Sequence, residues 1–76
     1  MKITQIPVNE LPIRLGQFLK MANFVQDGLE AKIYISNGEV KVNGAEETRR
    51  GRKLTKGDIV EFQDEKVQLT SPSESL

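Results

Sequence analysis

The chain has 76 residues, with 11 Lys and Arg against 11 Asp and Glu, and so a formal net charge of zero. A chain of this size buries only about 60% of the surface that it exposes when unfolded, which leaves room for one small core. It has no Cys and no His, which excludes disulfides, Cys/His zinc sites and imidazole or thiolate catalysis, and the lack of disulfides favours a cytoplasmic setting.

The first part of the chain predicts an N-terminal extension over residues 1–12, followed by a helix. β-branched residues before Pro7 favour a short edge strand in the extension. The helix is predicted over residues 14–23, because apolar residues recur there at the i, i+3, i+4, i+7 spacing of one helical face: Leu15, Phe18, Leu19 and Ala22.

A second helix is predicted over residues 28–36. Asp27 and Glu30 have the spacing of a capping box, in which each side chain accepts a hydrogen bond from the backbone amide of the other residue. Gly38 can take the left-handed conformation that commonly ends a helix.

The rest of the chain predicts short strands. Val40 and Val42 alternate with charged residues, and Asn43-Gly44 is a strong hairpin signal that leads into a polar strand over 45–48. Two further strands are expected over 59–62 and 67–69, and the Ser-rich residues 70–76 are expected to be a disordered tail. The fold class is therefore α+β, with two short helices packed on a small, mainly antiparallel sheet over residues 13–69.

The neutral total hides a dense basic segment. Residues 49–57 contain five Lys and Arg and no acid, and such a cluster is most readily kept when an anionic partner offsets its repulsion. The alternative is a solvated loop whose cations pair with Glu46, Glu47 or Asp58.

Other polar patterns do not indicate catalysis or a cofactor. Adjacent strand residues point to opposite faces, so Glu46 and Glu47 read as a solvated pair and not as a catalytic dyad. Asp58, Asp64 and Glu65 lack a calcium-type loop, and no glycine is followed by the Lys-Ser/Thr of a phosphate loop. We expect no enzymatic activity, no metal and no cofactor.

The order of these parts resembles the small RNA-binding domain named for the fourth protein of the small ribosomal subunit, also called the alpha-L motif. The similarity covers roughly residues 13–62 and is closest to the small stand-alone bacterial members of the YaaA/YbcJ type. It rests on Gly-x-Val-x-Val-Asn-Gly at 38–44, on Gly-Asp-x-Val at 57–60, and on the segments at 15–20 and 49–54.

The resemblance implies a domain that binds structured RNA, such as ribosomal or transfer RNA, within a ribonucleoprotein or ribosomal complex. We expect a cytoplasmic monomer with no membrane partner. The resemblance matches Arg14 to the Arg that opens the first family helix and Lys32 to the basic residue after Glu-Ala. Two glycines depart from the family pattern, because Gly16 stands where an acid is common and Gly28 where an Arg is common.

Seven residues are predicted to bind RNA: Arg14, Lys20, Lys32, Arg49, Arg50, Arg52 and Lys53. Phe18 and Phe62 fit the core, and partial burial is expected for Phe24 and Tyr34, so a stacking platform for single strands is not indicated. Folded or double-stranded RNA, recognised by shape and phosphates, fits better. The alternative is an adaptor that docks its basic loop on an acidic protein.

Overall fold

The computed structural model describes residues 2–72. In chain order, the elements of this part are β1 (Ile3–Pro7), β2 (Ile13–Arg14), α1 (Leu15–Met21), α2 (Gly28–Ser36), β3 (Val40–Val42), β4 (Ala45–Glu46), β5 (Lys53–Leu54), β6 (Ile59–Phe62) and β7 (Glu65–Thr70). Five strands form a sheet in the order β1-β7-β6-β3-β4, and β2 pairs with β5 separately. Only the β1–β7 pair is parallel among these pairings, so the predicted α+β fold with a mainly antiparallel sheet is confirmed.

The first helix is shorter than predicted at both ends. Arg14 has extended backbone (φ −76°, ψ 146°) because it belongs to β2, where it pairs with Lys53. At the other end, Asn23 takes a positive φ of 67°, which the helix cannot continue through. The helix predicted over 14–23 is therefore Leu15–Met21.

The second helix has the predicted bounds, Gly28–Ser36. The amide of Glu30 donates to Oδ1 of Asp27 at 2.8 Å, which confirms half of the capping box. The other half is wrong, because the carboxylate of Glu30 accepts from the amide of Gln26, at 3.1 Å, and not from that of Asp27. Gly38 has the left-handed φ of 76° expected after the helix end.

Tight turns connect β3 to β4 and β6 to β7, so each of these antiparallel pairs is a hairpin. Asn43 and Gly44 have φ values of 54° and 87°, as the predicted turn between β3 and β4 requires. The returning strand ends at Glu46, two residues earlier than predicted, because the chain leaves the sheet there for the basic segment. The β6–β7 turn has positive φ at Gln63 and Asp64, and its lack of glycine explains why the sequence did not reveal it.

The core lies between the two helices and one face of the five-stranded sheet. Phe18 and Phe62 are fully buried, as predicted. Phe24 and Tyr34 are half-buried and pack edge-on against Phe62, with ring centroids 5.7 and 4.9 Å from it. No helix within residues 2–72 is both long and apolar enough to cross a bilayer.

The first and last strands of the described residues pair at one edge of the sheet. β1 lies at this edge in parallel register with β7, and the amide of Val8 donates to the carbonyl of Thr70 at 2.8 Å. Thr70 is buried by this pairing (8% exposed), so the predicted disordered tail does not include residue 70. The last four residues of that tail, 73–76, lie outside the described residues.

Candidate nucleic-acid interface

The basic segment is attached to the beginning of α1. The amide of Leu15 donates to the carbonyl of Arg52 at 2.8 Å, and the amide of Gly16 donates to the carbonyl of Arg50 at 3.1 Å. The first amides of a helix have no partner within the helix, and Arg14 at the N-cap offers no accepting side chain. The loop over residues 49–52, called the basic loop below, supplies those acceptors and is thereby fixed on α1.

A groove opens where α1, α2 and the basic loop meet. Its volume is about 310 Å³, and its cations are Arg14, Lys20 and Arg50. The remaining lining residues are uncharged: Gly16, Gln17, Gly28 and Gly51. None of the three cations takes part in an ion pair within residues 2–72, so their positive charge is directed toward solvent without a neutralising carboxylate.

Two more predicted cations adjoin the groove. Lys53 is the register partner of Arg14 in the β2–β5 pair. The neighbouring pair, Ile13 and Leu54, is buried, so Arg14 and Lys53 lie on the opposite, solvent-facing side. Lys32 follows Gly28 by four residues and therefore lies on the same face of α2. These five residues are called the basic face below: Arg14, Lys20, Lys32, Arg50 and Lys53.

The other two predicted residues, Arg49 and Arg52, are held by carboxylates. Arg49 donates to both carboxylate oxygens of Glu47, at 3.0 and 3.2 Å. Nε of Arg52 lies 3.0 Å from Oε1 of Glu47, and Nη1 lies 3.7 Å from Oδ2 of Asp58. The alternative of a loop paired with nearby acids therefore holds for these two arginines, although it does not extend to Arg50.

Glu47 consequently has a structural role, because it holds two arginines of the basic loop. Its side chain is only 12% exposed, so the interpretation of Glu46 and Glu47 as a solvated pair is wrong for Glu47. The hydrogen bond from the Arg49 side chain is the main cause that lowers the pKa of Glu47, and the same contact raises the pKa of Arg49. Glu47 thus stays ionised at neutral pH and keeps both arginines in place.

Asn43 and Asp58 join the hairpin to the turn after β5. Nδ2 of Asn43 donates to Oδ1 of Asp58 at 3.1 Å, and Oδ1 of Asn43 accepts from the amide of Ile59 at 2.9 Å. Oδ2 of Asp58 accepts from the amide of Thr55 at 2.8 Å. Both side chains therefore serve the fold, and within residues 2–72 no cluster of three or more acids could hold a metal ion.

The sequence did not point to Gly16 or Gly28 as groove residues. Both were departures from the family pattern, and both line the groove. They line it because α1, α2 and the basic loop meet there, and no local pattern in the sequence signals that these distant segments come together.

Two helices packed on a small, mainly antiparallel sheet are the fold that the resemblance to the alpha-L motif implies. The chain belongs to the S4 domain family, whose model matches residues 6–70. The resemblance drawn from the sequence is confirmed, and the matched range includes the end of β1 in addition to the residues that carried it.

Individual relatives support this membership. The protein named Probable ribosome maturation protein RlbA, from Bacillus subtilis (strain 168), is 48% identical over 58 residues, which cover 76% of this chain and 82% of RlbA. YbcJ of Escherichia coli (strain K12) is 39% identical over 59 residues, which cover 78% of this chain and 84% of YbcJ. The solution structure of YbcJ, described as revealing an alfaL motif involved in RNA-binding, matches with a TM-score of 0.64 and 33% identity, covering 91% of this chain and 86% of that one.

Proposed function

We propose that this chain is a non-catalytic domain that binds structured RNA, such as ribosomal or transfer RNA, through the basic face. The observation that carries the proposal is the groove in which Arg14, Lys20 and Arg50 converge without an ion-pair partner in the described part of the chain. Arginine presents a planar fork that holds phosphate oxygens with two hydrogen bonds and remains charged when it is desolvated.

The aromatic residues favour folded RNA over single strands. Single-strand binders stack successive bases on exposed rings. Here Phe24 and Tyr34 are half-buried against Phe62, and Phe18 is fully buried. The basic face therefore supports recognition by shape and phosphate contacts, which is the usual mode for double-stranded or compactly folded RNA.

The relatives point to the same ligand class. The structure of YbcJ is described in terms of RNA binding, and RlbA carries the name of a ribosome maturation protein. We infer a role within a bacterial ribonucleoprotein or ribosomal complex, in which the domain acts as a monomer in the cytoplasm and contributes binding and not chemistry.

The outer face of the sheet offers a contrast that makes the proposal testable. Lys41 is the register partner of Glu46 on β4 and of Glu61 on β6, and Glu61 in turn is the partner of Lys66 on β7. Positive and negative charges alternate across this face, so it provides no uniform attraction for an anion. Cations removed from it serve as controls for cations removed from the basic face.

The decisive experiment measures the salt dependence of binding to purified bacterial ribosomal RNA. The triple variant R14A/K20A/R50A should lower the slope of log K against log salt by about two to three units, which corresponds to three lost phosphate contacts. The control K2A/K41A/K66A removes the same charge from other surfaces and should keep the wild-type slope.

Equal slopes for the two triple variants would contradict the assignment to the basic face. If the wild-type protein binds an acidic polypeptide such as polyglutamate but binds no RNA at low salt, the adaptor function would replace RNA binding as the explanation of the basic face.

A further inference from the structure

Gly16 is the residue on which the side chain of Arg50 lies. A Cβ at position 16 would stand 2.6 Å from Cγ of Arg50 and 3.2 Å from Cδ. The first distance is far inside van der Waals contact, and Cγ is too near the backbone to move without a change in the whole side chain. The present orientation of Arg50 along α1 thus requires the absence of a side chain at residue 16.

Backbone contacts make this requirement strict. The amide of Gly16 donates to the carbonyl of Arg50 at 3.1 Å, and the amide of Leu15 donates to the carbonyl of Arg52. The loop backbone is therefore held against the helix on both sides of residue 51 and cannot easily retreat. A side chain at position 16 would have to be accommodated by rotation of Arg50 away from the groove.

We propose that Gly16 is a positioning residue for RNA binding, an inference that rests on the proposed function. Gly16 acts by allowing the Arg50 guanidinium to point into the groove. Gly16 itself supplies no charge. Its contribution is to place the Arg50 stem over the beginning of α1, so that the three cations of the groove converge on one phosphate-bearing ligand. A cation held in place before binding loses less conformational freedom when it contacts a phosphate.

A double-mutant cycle of G16A and R50A tests the proposal, with a labelled RNA stem–loop from ribosomal RNA as the probe. Each single variant should bind about tenfold more weakly, the size of one charge-assisted contact. Each should also lower the salt slope by about one unit. The double variant should bind no more weakly than R50A alone, because the contact is already lost.

The melting temperatures of the same four proteins (wild type, G16A, R50A and the double variant) test the contact without RNA. In the wild-type background G16A should lower the Tm, because the methyl group displaces Arg50. In the R50A background the same change should leave the Tm unchanged or raise it, because Cγ and Cδ are gone and alanine favours a helix over glycine. This sign change also keeps the test informative if G16A alone folds poorly.

Gly28→Ala is the matched control. It places a methyl group on the same groove, yet a Cβ there would meet no atom within 4 Å apart from its chain neighbours and the backbone of its own helix. Its effects should add to those of R50A. The positioning role would be overturned if G16A weakened binding equally in the wild-type and R50A backgrounds, or lowered the Tm equally in both. Failure of the wild type to bind RNA would instead remove the proposed function, while the Tm cycle would still report on the contact.

Discussion

Arg14 and Lys53 stand directly opposite each other on the paired strands β2 and β5. Their neighbours Ile13 and Leu54 are buried on the other side, so the two cations share the solvent-facing side. Like charges at directly opposed positions destabilise an antiparallel pair, and no carboxylate pairs with either residue within residues 2–72. A bound anion between them would relieve this repulsion, which ties the strand pair to the proposed RNA face.

Replacement of Lys53 by threonine should therefore change stability and binding in opposite directions. K53T removes the repulsion and adds a β-branched residue, so the free energy of unfolding should rise by about 0.2–1 kcal/mol. The loss of one phosphate contact should weaken RNA binding and lower the salt slope by about 0.7–0.9 units. Urea unfolding and a salt titration of RNA binding measure the two effects.

K41T is the control, because it makes the same substitution at a lysine that faces acids instead of a cation. Lys41 has Glu46 and Glu61 as its register partners, so its removal abolishes attraction and not repulsion. Stability should fall slightly or stay the same, while RNA binding keeps its wild-type slope. A K53T variant that is no more stable than the wild type would show that Arg14 and Lys53 do not repel each other.

The arginines of the basic loop should separate into a binding and a structural group. Arg50 faces the groove without an ion pair in the described chain, whereas Arg52 is 28% exposed and bridges Glu47 and Asp58. R50A should weaken RNA binding about tenfold and change stability by less than about 0.5 kcal/mol. R52A should cost roughly 1 kcal/mol of stability and affect the RNA affinity of the folded protein less than R50A does.

R50A and R52A each remove one positive charge, at positions two residues apart, so each variant is the control for the other. Chemical denaturation and RNA titration on both would show the division directly. Equal losses of affinity with unchanged stability would restore the original assignment, in which the whole cluster contacts RNA.

Local signals predicted the elements whose causes are local. The capping side chain of Asp27 and the left-handed Gly38 set the bounds of α2, and both act within a few residues. Asn43-Gly44 fixed the hairpin for the same reason, because only residues tolerant of positive φ fit that turn. The family motif spanned these same segments, so fold class followed from the sequence.

The candidate site depends on contacts between segments that are distant in the sequence, and such contacts produce no local sequence pattern. The Arg50 side chain lies on Gly16 because two backbone hydrogen bonds join residues about 35 positions apart in sequence. The choice of Arg49 and Arg52 as partners for Glu47 likewise follows from the path of the loop. Composition showed that the segment is basic, but only the packing distinguished Arg50, which lines the groove, from Arg49 and Arg52, which pair with acids.

Asn43 should contribute to stability and not to RNA binding. N43G keeps the positive φ of 54° but loses the side-chain bonds to Asp58 and to the amide of Ile59. The free energy of unfolding should fall by about 1–3 kcal/mol. N43A loses the same bonds and also strains the backbone, which adds about 1 kcal/mol. Urea unfolding of both variants tests this order, and an N43A protein as stable as wild type would contradict it.

Glu47 should make the stability of the domain depend on pH in acid. Its pKa in the folded protein is lowered from the ordinary value of 4.5, chiefly by the Arg49 side chain. The stabilisation is therefore fully present above about pH 4.5 and is lost as the pH falls through the lower folded pKa. At neutral pH E47Q should have a lower Tm than wild type, because Arg49 and Arg52 lose their charged partner.

As the pH falls below that range, the wild-type Glu47 becomes protonated and resembles glutamine in charge, so the two melting temperatures should converge. Thermal unfolding followed by circular dichroism between about pH 7 and about pH 3 measures this convergence. E46Q is the control, because Glu46 is exposed and forms no ion pair within residues 2–72, and its Tm difference from wild type should stay small throughout. A constant gap between wild type and E47Q over the whole range would mean that the charge of Glu47 does not hold the loop.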